Sequence, residues 1–590
     1  MTAWQDQNPN PKSEIVNQPA AAERPRADFV RHANLISRLT LLSRLFGLVR
    51  DKACAYFLGV GTNWSAFWMG FQFPNLFRRI FGEGALTAVF LPVYVRVRDQ
   101  YGQTAANQVA RAVTLILIGV LTAITLAGET LLIPLALAPG LAPANRLAAA
   151  MIALMLPYSI SVCAVALLGA LAAAHEHFAA QAAAPIILNV AMALAAAMPV
   201  WWWSWRYPPV WRVAGVAMAV LLAGSVQLLM MAAAVRRAGV HLGSGWRILP
   251  TFGGKIVRAA LRDVIRPMTP MILGLSAVQL NTFFDSQIAW WFSPDGHNGH
   301  RLFHLLGLAI HTPMLAGALG KLSVAQRIYL LPVGIFGVAT ATALFPSLAA
   351  AAAAQRRDEI KRLLNAALRK SLFLSLPSTA GMILIAPLLI AAIYLGGRVG
   401  PTDVARAAWA ARWFCAGIWA FELQMILVRV FYAQGDAITP MKIAAAMVAL
   451  NLALNLTFIW FMQEGGIAAS TSLSAAVQVM VLAGILRHRL GAGWGLRGVA
   501  VLVAKCLLAV GLMVLVVLAL NASLAGVPAL GPGHRWPGLA VRLLAAVLAA
   551  VLVYGLASRW LHIEELAQAP VLRVFRRRAV EESDAGAPRN

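Results

Sequence analysis

Windows of about twenty predominantly apolar residues recur along most of this 590-residue chain, each long enough to cross the hydrocarbon core of a bilayer as a helix. Inside lipid the backbone must satisfy its own hydrogen bonds, so a succession of such windows has one solution, a bundle of transmembrane helices. About fourteen spans are expected between residues 34 and 561, which predicts an all-α polytopic membrane protein. Only 12% of the residues are charged, against about one quarter in a soluble domain. The net charge of +26 would point to nucleic acid in a soluble protein. Here the basic residues concentrate in alternate loops, such as Arg96 and Arg98, Arg236 to Arg262, Arg356 to Arg362, and Arg487 and Arg489. That alternation follows the positive-inside rule, predicts both termini in the cytoplasm, and leaves no reason to expect a nucleic-acid partner.

Residues 1–32 are polar and proline-bearing with no apolar core, and read as a disordered cytoplasmic tail rather than a signal peptide. A second cytoplasmic tail is expected at 563–590. Cys54, Cys163, Cys415 and Cys506 sit singly in apolar segments, a pattern of neither disulfides nor a metal cluster. His297, His300, His304 and His311 lie in the outer loop 294–321 at spacings that fit no standard ligand set, and read as solvated.

Two features say what the bundle is for. The stretch Ser43–Pro92 is mostly apolar yet carries Arg44, Arg50, Asp51, Arg78, Arg79 and Glu83, and is interrupted by Pro74 and Gly82-Glu83-Gly84. Charge is costly in lipid, so such residues face a polar cavity or one another, and broken helices commonly line such cavities. The second feature is a repeat. RIFGEGALTAVF at 79–90 resembles GIFGVATATALF at 334–345, with Ile80 matching Ile335, an offset of 335 − 80 = 255. Gly215, Ala217, Val226 and Gln227 recur as Gly466, Ala468, Val477 and Gln478 at 466 − 215 = 251. An offset holding six spans preserves orientation, so residues 33–236 and 260–490 are expected to form two parallel six-helix lobes, joined by the basic linker 237–259, with two extra helices over 491–562. A polar cavity between two such lobes describes an alternating-access transporter.

The second lobe adds Arg327, in LSVAQRIYLLP. A net-cationic cavity implies an anionic substrate, and guanidinium forks suit phosphate oxygens. There is no Walker A sequence, so an ion gradient or the membrane potential must supply any driving force. A cationic cargo is disfavoured by the same charges. An acyl- or glycosyltransferase is disfavoured by the lack of His-x4-Asp and Asp-x-x-Asp, and a silent scaffold would leave the buried charges unexplained. The last two spans, 500–520 and 539–557, are nearly pure Leu, Val and Ala; they are either lipid-facing packing helices or an apolar groove for a long lipid tail.

The segments SRLFGLVRD, FPNLFRRIFGEGA, LPVGIFGVATATALFP and FYAQGDAITPMKIA resemble the MurJ (MviN) family of lipid II flippases, within the multidrug/oligosaccharidyl-lipid/polysaccharide exporter superfamily. The resemblance runs from about Leu35 to Leu490 and more weakly to about 561. It implies a non-enzymatic flippase in the bacterial inner membrane that moves lipid II from the inner to the outer leaflet, with membrane lipids and the cell-wall synthesis machinery as neighbours. A different polyprenyl-linked saccharide is the alternative cargo. The resemblance puts Arg44, Arg50, Asp51, Arg78, Arg79, Glu83 and Arg327 on charged cavity positions and the last two helices around the undecaprenyl tail. Gln326 and Leu330 stand where some members carry acids, so the cavity is more cationic here or the ion coupling differs. The resemblance also implies a sodium site of Asp285, Asn451, Asn455, Ile467 and Thr471, with Na+ as coupling ion and no other cofactor. Spacings of four put Asn451 with Asn455, and Ile467 with Thr471, on single helix faces. Interhelical polar contacts are the alternative reading of the same residues.

Overall fold

The computed structural model describes residues 24–82, 85–202, 209–243, 254–294, 302–305, 308–491, 495–525 and 536–568. The first helix, α1 (Arg24–Leu58), begins inside the stretch read as a tail, so residues 24–32 are helical. Residues 1–23 and 569–590, and residues 244–253 of the linker, lie outside the described residues.

A turn at 59–61 leads into α2 (Thr62–Phe77), which runs into the π-turn π1 (Arg78–Gly82). The next helix, α3 (Ala85–Leu137), is two spans in one. Gly102, at φ 82° and ψ 171°, breaks it with a conformation that other residues adopt only under strain. The first half continues with α4 (Pro143–Met155), α5 (Tyr158–Ala174), α6 (Ala179–Trp202) and α7 (Pro209–Arg237). The second half begins with α8 (Lys255–Trp291). The loop after it carries a small antiparallel hairpin, β1 (Leu302–Leu305) with β2 (Leu308–His311). Then come α9 (Ala318–Pro332), the π-turn π2 (Val333–Gly337), α10 (Val338–Ala353), α11 (Arg357–Tyr394), α12 (Pro401–Ala416), α13 (Ile418–Ala433), α14 (Ile438–Met462) and α15 (Glu464–Leu490). The last two spanning helices are α16 (Leu496–Ala525) and α17 (Trp536–Trp560).

The repeat read in the sequence has a structural counterpart. RRIFG and VGIFG, 333 − 78 = 255 residues apart, both form π-turns that break the second span of their half. Such bulges shift the helix register and recur at functional positions. Within the first half α1 packs on α6, α6 on α7, α5 on α7 and α2 on α4; within the second, α9 packs on α12, α11 on α12 and α13, and α14 on α15. Helix α8 crosses between them, lying against both α3 and α14. The final pair, α16 and α17, pack on each other and on α11, around a core that includes Phe373, Cys506, Met513 and Tyr554.

Helices cover all of the expected spans, but among the described residues ten are long and apolar enough to cross a membrane, or eleven if the bent pair α12–α13 counts as one span. The count of fourteen is therefore not established on length and apolarity. The stretches that fall short are α1, α8 and the region of α2: α1 carries Arg38, Arg44, Arg50, Asp51 and Lys52, α8 carries Arg258, Arg262, Asp263, Arg266 and Asp285, and α2 has only 16 residues before its π-turn.

Candidate functional site

A cavity of about 540 Å3 opens between the two halves. From the first half it is lined by Arg50, Arg78 and Arg79, and from the second by Asp285, Gln326 and Arg327. The π-turn at 78–82 is what turns both Arg78 and Arg79 into this space, just past the proline-bearing end of α2.

The charges fall into a held set and a facing set. Arg50 is almost fully buried. It donates from Nε (3.0 Å) and Nη2 (2.6 Å) to Asp51 Oδ1 and from Nη1 to Asn189 Oδ1 at 2.8 Å. Asn189 in turn donates to the Ser43 carbonyl at 3.1 Å. Asp51 reaches across the halves with its other oxygen, Oδ2, 3.3 Å from Arg327 Nε. Arg327 also lies over the Trp68 ring, 5.7 Å from its centroid, with 41% of its side chain exposed. Arg79 is exposed and donates to Gln279 of α8, a second bridge between halves. Against Asp51 and Asp285 stand Arg50, Arg78, Arg79 and Arg327, so positive charge prevails among the described residues of the cavity. The result is a cationic chamber, suited to an anion that can take bidentate bonds.

Arg44, expected in the cavity, does not line it. It is exposed on α1 with its Nη2 3.8 Å from where a Cβ on Gly334 of π2 would stand. The spacing Arg44 to Arg50 is six residues, which on a 3.6-residue period points the two in different directions. Glu83 lies outside the described residues.

Asp285, Asn451, Asn455, Ile467 and Thr471 meet at one point where α8, α14 and α15 converge. Asn455 Nδ2 donates to Asp285 Oδ1 at 2.6 Å and to Asn451 Oδ1 at 2.9 Å. The Thr471 hydroxyl stands 3.2 Å from Asp285 Oδ2 and 2.9 Å from the Ile467 carbonyl. Turned over, the Asn451 amide donates instead to Asp285 Oδ1 at 2.9 Å and to Asn281 Oδ1 at 3.0 Å. Asp285 and both asparagines are buried, and Asn455 Oδ1 has no hydrogen-bond partner. An all-oxygen set with an orphaned buried carbonyl is the donor chemistry a hard cation takes. Among the described residues no group of three or more His, Cys, Asp or Glu could hold a metal ion.

Sequence reasoning missed Asn189, Asn281, Gln279 and Trp68. Asn189, Asn281 and Gln279 share a signal, an amide in an apolar span, which must find a partner there. Trp68 has none.

The description "Lipid II flippase MurJ" belongs to the family model that matches residues 54–529. A probable lipid II flippase MurJ of Rhizobium tropici is 30% identical over 451 residues, covering 75% of this chain and 78% of that protein. The lipid II flippase MurJ of Burkholderia cenocepacia is 27% identical over 499 residues, covering 81% and 88%. Among solved structures, a lipid II flippase MurJ in an inward closed conformation superposes with a TM-score of 0.67 at 19% identity, covering 89% of this chain and 99% of that one. An inward-facing multidrug resistance MATE family transporter of the MOP superfamily follows at 0.58, with 15% identity and 78% and 98% coverage. At those identities the two superpositions speak to the fold.

Proposed function

The chain belongs to the MurJ family of lipid II flippases, and from that premise we propose how its cavity carries the substrate. It is a multi-pass transporter, not an enzyme, and its cargo is lipid II, moved from the inner to the outer leaflet by alternating access. The observation that carries the mechanism is the cationic chamber straddling the two halves. Arg78, Arg79 and Arg327 receive the pyrophosphate. Its oxygens compete with Asp51 for Arg327 and with Gln279 for Arg79, so that binding the anion exchanges the two bridges between halves for bonds to substrate. Arg50, held by Asp51 and Asn189, is the buried anchor of this arrangement rather than a contact that must be remade. The halves can then separate at one end while remaining joined at the other.

The undecaprenyl tail lies along α16 and α17, whose outer faces expose Leu507, Leu508, Leu515, Leu548, Leu552 and Leu556. Na+ would be held by Asp285, Asn451, Asn455, Thr471 and the Ile467 carbonyl, where it supplies neutralisation of a carboxylate at membrane depth. The basic loops support an N-in, C-in orientation in the cytoplasmic membrane, beside the cell-wall synthesis machinery.

The test is translocation of lipid II in proteoliposomes. Arg78→Ala and Arg79→Ala should express and melt close to the wild type, because both residues line the cavity rather than the packed core of either half. Each should slow flipping by roughly tenfold or more, since a charge-assisted hydrogen bond contributes about 1.5–3 kcal/mol and each 1.4 kcal/mol is tenfold. Arg79→Lys should recover part of the rate, lacking only the planar fork. Wild-type rates in both alanine variants would remove the chamber from the mechanism.

A further inference from the structure

Glu422 is an acid for which the cavity has no use. It is fully buried in α13, and one donor reaches it, the Ser371 hydroxyl of α11, at 3.2 Å from Oε2. Its Oε1 has no hydrogen-bond partner, and neither has the hydroxyl of Ser375, also fully buried one turn further along α11. Around them the core is apolar, with Leu368, Leu372, Leu423 and Ile426. The charged side chains on the elements packed against Glu422 are engaged elsewhere or make no ion pair with it. Arg429 of α13 donates to Thr342 and lies over the Phe345 ring. Arg369 of α11 pairs with Glu564 and Glu565, and Arg489 of α15 with Asp436. Glu464 of α15 pairs with Arg406 of α12, and Asp403 of α12 with Lys321. Lys370 of α11, Arg412 of α12, Lys442 of α14 and Arg487 and His488 of α15 make no ion pair with Glu422, and π2 and α10 carry no charge.

The acid also sits at a particular joint. Its Cγ lies so close to Gly337 that a Cβ there would come to 2.9 Å. Gly337 ends π2, the bulge that breaks the span whose preceding helix, α9, carries Arg327 into the cavity. The fold does not need an acid to make this bulge. The first half makes the same bulge at π1, packed on α5, and α5 holds neither Asp nor Glu; at the offset of 255 Glu422 falls on Leu167 (422 − 255 = 167).

We propose that Glu422 is a proton-binding site, separate from the Asp285 cluster, whose occupancy is linked to the shape of the π2 hinge. A carboxylate with one hydroxyl donor and no cation is costly in an apolar core, and taking up a proton at Oε1 removes that cost. A metal ion would need several oxygens, and the Ser371 hydroxyl is the one side-chain group hydrogen-bonded to the carboxylate among the described residues. In the closed arrangement the neutral acid packs against Gly337. Losing the proton to water entering from the cavity leaves a carboxylate that must be solvated, which requires α10 and α13 to part at π2. That moves α9 and Arg327 relative to the first half. The inference rests on the flippase reading for its consequence, though not for its detection.

Infrared difference spectroscopy across an alkaline titration, together with pulsed spin-label distances between Thr62→Cys and Thr402→Cys, tests it without lipid II. The background is the full chain lacking its four native cysteines. The wild-type residue should show the carbonyl stretch of a buried protonated carboxyl that is absent from Glu422→Gln, and the distance distribution should change as that band is lost. Glu422→Gln preserves size and can still accept from Ser371, so it should melt like the wild type and hold one distance at every pH. Ser371→Ala should retain the band and move its midpoint to more alkaline pH. No band missing from Glu422→Gln, an unchanged pH-dependent distance in that variant, or a band that responds to replacing Na+ by choline would each overturn the proposal. Lipid II flipping measured separately in the same variants keeps the flippase reading independent of these results.

Discussion

At the scale of single residues, what separates an anchor from a ligand is how completely a side chain's bonding is already met. Arg50 and Asp285 are both buried charges with partners, yet they differ in kind. Arg50 has a carboxylate and an amide oxygen on its guanidinium, so its charge is compensated on the spot. Asp285 has amide and hydroxyl donors only, with no cation beside it and an orphaned Asn455 oxygen next to it. That asymmetry favours a bound cation, and it makes a prediction in both directions. Asp285→Asn should abolish any stabilisation by Na+, while Asn455→Asp, which supplies a second carboxylate, should lower the Na+ concentration needed. Thermal melting in a series of NaCl against choline chloride at constant ionic strength reads this directly. A ligand at one hundred times its Kd adds about 2.7 kcal/mol, enough to move the midpoint by several degrees. A wild type indifferent to Na+ would leave Asp285 as an interhelical polar contact. Glu422 carries the same lesson: an acid inside FELQMILV is as exceptional as one inside QLNTFFDS, and the rule that intramembrane acids are functional candidates applies equally to both.

At the scale of elements, the breaks matter more than the spans. Gly320, in the first turn of α9, donates its N–H to Ser65 Oγ at 2.9 Å, and a Cβ there would stand 2.5 Å from the Val60 carbonyl oxygen. Backbone meets backbone between the halves at this point, and only a glycine permits it. Gly320→Val should therefore destabilise closure at the Val60 end by about 1–3 kcal/mol. The spin-label distance between Thr62→Cys and Thr402→Cys should lengthen, and the protein should still fold because neither half loses internal packing. An unchanged distance would mean that the contact is not a seal. How far such elements can be read beforehand depends on whether their cause is local. The doubled IFG motif was visible as a repeat because the two bulges share residues, and Asp285, Asn451, Asn455 and Thr471 were traceable through helix periodicity and family resemblance. The kink at Gly102 reads as a gap between apolar windows. Arg44 stands off the face of Arg50 because six residues rotate it away, and residues 24–32 read as part of a tail although they are helical, because composition reports burial rather than backbone state. Gln279 as the partner of Arg79 could not be read, since their contact, 279 − 79 = 200 residues apart, exists only once the halves are docked.

At the scale of the whole molecule, the two ends of the cavity are closed by different physics. The end holding the 59–61 turn is closed by hydrogen bonds onto uncharged oxygens, one of them backbone to backbone: Arg398 N–H donates to the Tyr56 carbonyl at 3.0 Å, Lys52 Nζ to the Leu395 carbonyl at 3.1 Å, and Trp290 Nε1 to Asn145 Oδ1 at 3.1 Å. At the other end, reached by following the chain from 62 to 101, α3 lies along α8 and Arg96 pairs with Asp263, each side chain about half exposed at 50% and 49%. An exposed pair of this kind contributes about 0–1 kcal/mol and is screened by salt, whereas hydrogen bonds onto uncharged carbonyl and amide oxygens are much less sensitive to it. Perturbing the two ends should therefore have unequal effects. Asp263→Asn should shift the conformational equilibrium by no more than about fivefold, and raised salt should reproduce that shift in the wild type. Gly320→Val should shift it further and independently of salt. The proposed N-in orientation assigns these ends to leaflets. With N-in topology, a cysteine at the exposed position His241→Cys should be shielded from an impermeant thiol reagent in intact cells, and Thr402→Cys should react. The reverse labelling would place the backbone seal in the cytoplasm, and the polarity of lipid II transfer would then have to be argued from the ion pair instead.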